Sequence, residues 1–231
     1  MFKYILAALF MLLQLHANEA LEAFKKKDYD RAFKLYQKDA ELGDAKAQSA
    51  LSYLYANGLG VQKDMEKSIS WLKKSADNNY SAAQYDLGMT YLSGSSVAKD
   101  SKKAYEYLDK AASQNNADAQ YNLALMYYNG EGVDINVTKS SQLLEKAATQ
   151  NHKLAKQNIG RVYVQLLKFK EATKWLEQNA NEGDEGAYYV LAQVYCELED
   201  FKNAKKWAKK SIDSGSAEAK LLYEKYELQK Y

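Results

Sequence analysis

Residues 81–116 read SAAQYDLGMTYLSGSSVAKDSKKAYEYLDKAASQNN, and residues 117–152 read ADAQYNLALMYYNGEGVDINVTKSSQLLEKAATQNH. Laid one over the other they share residue classes, and the match extends along the chain in both directions. Leu51, Leu87, Leu123, Ile159 and Leu191 stand 36, 36, 36 and 32 residues apart. Tyr55, Tyr91, Tyr127, Tyr163 and Tyr195 repeat the same steps four residues later, which on a helix is the same face. A small residue follows each aliphatic one: Ser52, Gly88, Ala124, Gly160 and Ala192.

A second helix in each unit is marked by Ser68, Ala104, Ser140, Ala172 and Ala204, and three residues later by Trp71, Tyr107, Leu143, Trp175 and Trp207. Gly43, Asn79, Asn115, Asn151, Gly183 and Gly215 then occupy the place where a helix end needs a left-handed residue. Each unit therefore reads as helix A, loop, helix B, turn. The small residues let the two helices approach while the aromatic ring fills the neighbouring groove. No unit buries its apolar face alone, so stacking neighbours must build a continuous core.

The first three full units carry a longer loop between A and B: Asn57-Gly58-Leu59-Gly60-Val61, Ser93-Gly94-Ser95-Ser96-Val97 and Asn129-Gly130-Glu131-Gly132-Val133. Asp64, Asp100 and Asn136 follow where an N-cap is expected. The last two units are shorter by four residues in this loop.

Ala83-Gln84-Tyr85-Asp86-Leu87-Gly88 and Asp118-Ala119-Gln120-Tyr121-Asn122-Leu123-Ala124, followed by Tyr, Gly-x-Gly-Val and Lys-Ala-Ala, resemble the Sel-1-like repeat family. The shorter units are similar to ordinary tetratricopeptide repeats. The resemblance implies an all-α fold, a right-handed α/α superhelical solenoid of helix hairpins. Its expected divisions are an incomplete leading unit at 18–44, Sel-1-like repeats at 45–80, 81–116 and 117–152, tetratricopeptide-like repeats at 153–184 and 185–216, and a closing helix at 217–231.

Residues 1–17 form a separate segment. One Lys, Lys3, precedes an apolar run from Ile5 to Leu15, and Ala17 stands at the expected cleavage point. The run is too short to span a bilayer and reads as a secretory signal, placing the mature chain in the periplasm or outside the cell. No Cys follows the run, which argues against a lipoprotein. Once the leader is cleaved, no stable membrane insertion is expected.

Composition narrows the chemistry. The net charge is +2, so there is no global field for a polyanion, and nucleic acid is excluded as an expected partner. Beyond the leader there is one His, His152, expected as a solvated turn residue, and one Cys, Cys196, expected as a small buried hydrophobe. Neither a metal site nor an internal disulfide can be assembled from them, and no cofactor is expected. The Lys-rich stretches around Lys102, Lys168 and Lys205 fall on or near helix B and read as a solvated outer face.

In repeats of the resembling type, helix A lines a concave groove, and the positions flanking its marker aliphatic residue face a ligand. On this chain they are Tyr53, Tyr85, Met89, Tyr121, Leu125 and Tyr128 in the first three full repeats, and Gln157, Arg161, Tyr189 and Gln193 in the last two. Such a Tyr-rich groove suits an extended protein or peptide partner, and it implies a non-catalytic scaffold. Two alternatives come with the family. One is the β-lactamase-like or cell-wall-directed activity described for cysteine-rich members, whose bridging Cys pairs this chain lacks; the other is a secreted host-interaction factor. Two sequons, Asn79-Tyr80-Ser81 and Asn136-Val137-Thr138, each have Asp two residues earlier and match an acidic bacterial N-glycosylation pattern. Sequence leaves the oligomeric state and the partner's identity open.

Overall fold

The computed structural model describes residues 18–231, so the signal-peptide expectation for 1–17 lies outside the described residues. Among the described residues there are helices, turns and no strands. The chain is an all-α repeat fold.

It divides into two compact units that meet at Ala119–Gln120. The first holds α1 (helical over residues 18–25), α2 (Tyr29–Glu41), α3 (Ala45–Asn57), α4 (Met65–Asp77), α5 (Ser81–Ser93) and α6 (Ser101–Ser113). Helix α7 (Ala117–Asn129) carries the boundary near its start. The second unit continues with α8 (Val137–Thr149), α9 (Lys153–Gln165), α10 (Phe169–Asn181), α11 (Gly186–Glu197), α12 (Phe201–Asp213) and α13 (Ala217–Lys225). Within each unit, consecutive helices pack on one another.

The marker residues sit where the spacing requires. Leu51, Leu87, Ile159 and Leu191 are 0% exposed and Leu123 is 1% exposed, each contributing on the order of 2 kcal/mol by leaving water. The small residues do permit close approach. A Cβ added to Gly88 would stand 2.8 Å from Leu108 Cγ, and one added to Gly160 would stand 2.7 Å from Leu176 Cγ. In the repeat at 45–80 the small pair is Ser52 and Ser68, whose hydroxyls meet at 3.1 Å.

Local chemistry sets the helix ends. Asp64, Asp100 and Asn136 accept from the backbone N–H groups of Lys67, Lys103 and Lys139 at 2.9, 3.0 and 2.9 Å. Their own N–H groups donate back to Tyr55, Tyr91 and Tyr127, which pins the long loop to the last turn of the preceding helix. The turns at Asn79, Asn115 and Asn151 are left-handed, with φ of 62, 62 and 66°.

Three further left-handed residues break the Gly/Asn rule. Lys27, Leu167 and Glu199, at φ of 62, 56 and 58°, occupy equivalent places in the short turns that join A and B helices. The N–H groups of Asp28, Lys168 and Asp200 bond to Ala23, Tyr163 and Tyr195 across these turns and hold them at a cost of about 1 kcal/mol each. The closing segment also departs from one continuous helix. It breaks after Lys225, passes Glu227 at φ 48°, and ends in a 3-10 turn, Leu228–Lys230, because Leu228 packs fully buried into the core of the second unit.

A buried amide relay recurs beneath the turns. Gln48 and Gln84 each donate through Nε2 to the carbonyl eight residues earlier, Ala40 and Ala76, at 3.1 Å. Their Oε1 atoms accept from Asn78 and Gln114 at 2.8 and 2.7 Å, and Gln120 accepts from Gln150 at 2.8 Å. Gln48 and Gln84 of the Ala-Gln motif thus tie the starts of α3 and α5 each to the ends of two neighbouring helices. In the next repeat Lys156 takes the position and the relay gives way to a bond from Asn179 Nδ2 to the Lys156 carbonyl, at 2.9 Å.

Candidate functional site

In the second unit, α7, α8 and α9 enclose a cleft of about 310 Å³. Leu125, Tyr128 and Arg161 converge on it, three of the residues expected on the ligand-facing side. Tyr128 is 40% exposed, well above what a packed core ring retains, and Arg161 is exposed too. The cleft is also lined by Ser140, which is 0% exposed and whose Oγ has no hydrogen-bond partner. The cause is local. Ala124 stands where Ser52 meets the equivalent Ser68 hydroxyl, so Ser140 loses its counterpart.

The other expected residues are distributed differently. Tyr121 is half-buried, stacks on His152 with centroids 4.6 Å apart, and its hydroxyl accepts from Asn158 Nδ2 at 3.3 Å. His152 is not a solvated turn residue. It caps α9, its Nδ1 accepting from the Ala155 N–H at 3.1 Å, while its ring packs on Tyr121. Gln157 is half-buried on α9. Tyr189 and Gln193 bond to each other at 3.0 Å, and Tyr189 lines a separate recess with Ser211 and Ser214. Arg161 reaches toward the start of α11, where a Cβ on Gly186 would stand 2.9 Å from its Nη2 and 3.1 Å from Asp184 Oδ1.

In the first unit Tyr85 and Met89 are half-buried on α5. Tyr53 is 53% exposed, edge-on to Phe24 at 6.0 Å, and borders a larger cleft of about 610 Å³. Asp86 and Tyr36 line this cleft; burial pushes the Asp86 carboxyl above the usual carboxylate range and the Tyr36 phenol above its own. The two clefts share a register. Tyr53, Ser68, Leu72 and Asp86 in one correspond to Leu125, Ser140, Leu144 and Asn158 in the other, each 72 residues on. The sequence reading missed Asp86 and Asn158, and it placed Ser140 only as a small packing residue. The signal was present one residue before the marker aliphatic, where the repeats differ in charge.

The sequon residues both have structural work. Asn79 accepts through Oδ1 from Gln84 and Gln114, and Asn136 is the α8 cap. Cys196 is 4% exposed, and burial pushes its thiol up to about 11. The Lys-rich face is more than solvation. Lys67, Lys103 and Lys139 lie over the rings of Tyr55, Tyr91 and Tyr127, at 5.6, 5.4 and 5.0 Å from their centroids, and Lys206 lies over Trp207 at 4.6 Å. Among the described residues, no group of three or more His, Cys, Asp or Glu could hold a metal ion, and no helix is long and apolar enough to cross a membrane.

Comparison with known proteins matches this architecture. The chain is similar to the crystal structure of a Sel1 repeat protein from Oxalobacter formigenes, at 29% identity and a TM-score of 0.70, over 88% of this chain and 87% of that one. It is similar to c5321, a protective antigen present in uropathogenic Escherichia coli strains displaying an SLR fold, at 27% identity and a TM-score of 0.74. That match covers 92% of this chain and 48% of the antigen, so the chain spans about half its length. YrrB, a TPR protein with an unusual peptide-binding site, shares the fold at 19% identity and a TM-score of 0.55, over 82% of this chain and 97% of that one. No curated protein sequence matches. The Sel1 repeat model matches residues 22–44, 45–80, 81–116, 117–152 and 187–216. With the helix hairpins, small-residue contacts and amide relay recurring through those segments, the chain belongs to the Sel1 repeat family.

Proposed function

We propose that this repeat scaffold binds a protein or peptide partner on the A-helix face, with the α7–α9 cleft as a principal anchoring point. Sel1 repeats are interaction scaffolds. The observation that carries the finer reading is the convergence of Leu125, Tyr128 and Arg161 on one cleft floored by a buried hydroxyl that lacks a partner. A rigid aromatic ring, a guanidinium and an unmet hydroxyl are groups that gain from a ligand more than from solvent.

In the native host, crosslinking followed by capture is expected to recover a specific partner. Tyr128→Ala and Arg161→Ala should each weaken that capture by tenfold or more, with helical circular dichroism unchanged. Undiminished capture by the double variant would overturn the assignment of the cleft. Hydrolysis of nitrocefin by the purified chain would favour the β-lactamase-like alternative instead.

The same proposal places the mature chain outside the cytoplasm, in the periplasm or secreted, on the strength of the 1–17 pattern. Fractionation and N-terminal sequencing are expected to give a chain beginning at Asn18. Recovery of intact protein from the cytoplasm would contradict it.

A further inference from the structure

The two clefts occupy the same register of the repeat but differ in charge. In the second unit the residue at the Asp86 position is Asn158, and Arg161 replaces Met89 three residues later. In the first unit Asp86 is the one carboxylate lining the cleft among the described residues. It forms no ion pair, although Lys46 borders the same space. The rings of Phe24, Tyr36 and Tyr53 line the same cleft, together with the buried Leu72. Burial pushes the Asp86 carboxyl upward, while the residue as a whole remains open to solvent.

An unpaired carboxylate in a cleft lined by aromatic rings selects for a cation that tolerates partial desolvation. A guanidinium is planar, weakly hydrated and able to meet a carboxylate in two parallel bonds while lying against a ring; an ammonium is compact and strongly hydrated. The cleft volume of about 610 Å³ accommodates such a side chain together with the backbone that bears it. We propose that the cleft lined by Tyr53 and Asp86 receives an arginine side chain of a partner protein. This rests on reading the A-helix face as a binding surface.

The test is a ¹H–¹⁵N NMR titration of the full chain with the capped peptides acetyl-Ala-Arg-Ala-amide, acetyl-Ala-Lys-Ala-amide and acetyl-Ala-citrulline-Ala-amide. The arginine peptide is expected to give saturable shifts at Tyr53, Asp86 and Thr90. The citrulline peptide, equal in shape but uncharged, should bind at least tenfold more weakly, and the lysine peptide should fall between them. Asp86→Asn should reduce the arginine peptide to the citrulline level without changing the helical circular dichroism. Equal binding of the citrulline or lysine peptide, shifts confined to other residues, or an unaltered response of Asp86→Asn would each overturn the proposal. Partner capture through Tyr128 and Arg161 is measured separately in the other unit. If peptide binding fails while that capture persists, only the arginine cleft is refuted; if capture fails while the peptide binds, only the α7–α9 anchor is.

Discussion

Replacing Gly60 with alanine is expected to lower stability by about 3 kcal/mol, the sum of a left-handed backbone and a steric overlap. Gly60 lies in the α3–α4 loop at φ 67°, where an L side chain costs about 1 kcal/mol or more. A Cβ there would also stand 2.2 Å from the Tyr29 carbonyl oxygen and 2.4 Å from its carbon. Those atoms belong to the first turn of α2 and have no rotamer through which to escape, so loop or helix must shift. Gly43 supplies the comparison. It has φ 93° and nothing within 4 Å of an added Cβ, so Gly43→Ala carries the conformational term alone. Urea denaturation of the two variants separates the terms, and a Gly60→Ala loss no larger than that of Gly43→Ala would show that the loop does not rest on α2.

Gln84→Leu is expected to cost about 2–4 kcal/mol, although leucine is similar in size and more apolar. Gln84 is 2% exposed, donates to the Ala76 carbonyl and Asn79 Oδ1 at 3.1 Å, and accepts from Gln114 at 2.7 Å. Removing it takes away three hydrogen bonds of a buried network at once and leaves the Ala76 carbonyl with the Asn79 N–H alone, a loss that exceeds what a more apolar side chain returns. Gln114 is exposed, so in Gln114→Ala water replaces the lost donor and the cost should stay below about 1 kcal/mol. Thermal melts of both variants give the comparison. Equal losses would mean that the relay is incidental to the fold.

These two positions illustrate unequal legibility. Gly60 stood out in the sequence as part of a periodic loop, but its contact with Tyr29 joins residues from different repeats and carries no spacing signal. Gln84 belonged to the Ala-Gln motif that identified the family resemblance, yet only the bonds to Ala76 and Gln114 explain why glutamine is needed there. His152 was misread because a lone His beside a turn resembles a solvated one; the ring of Tyr121, a helix earlier, makes it a stacked cap. The lysines around 102, 168 and 205 read as a solvated face, but Lys103, Lys168 and Lys206 lie over the rings of Tyr91, Tyr163 and Trp207, which charge alone does not reveal.

The sequence by itself determined the helix count per repeat, the positions of the buried aliphatic residues, the N-caps of the long loops and the Gly and Asn turns. Each of these is set by interactions within a few residues or by a period that repetition amplifies. The tertiary structure decided which ligand-facing candidates share a cleft, that Ser140 lacks the counterpart that Ser68 has, and that Asp86 shares its cleft with aromatic rings and forms no ion pair. Those properties depend on side chains brought together from three or more helices, where one substitution in one repeat changes the chemistry while leaving the period intact.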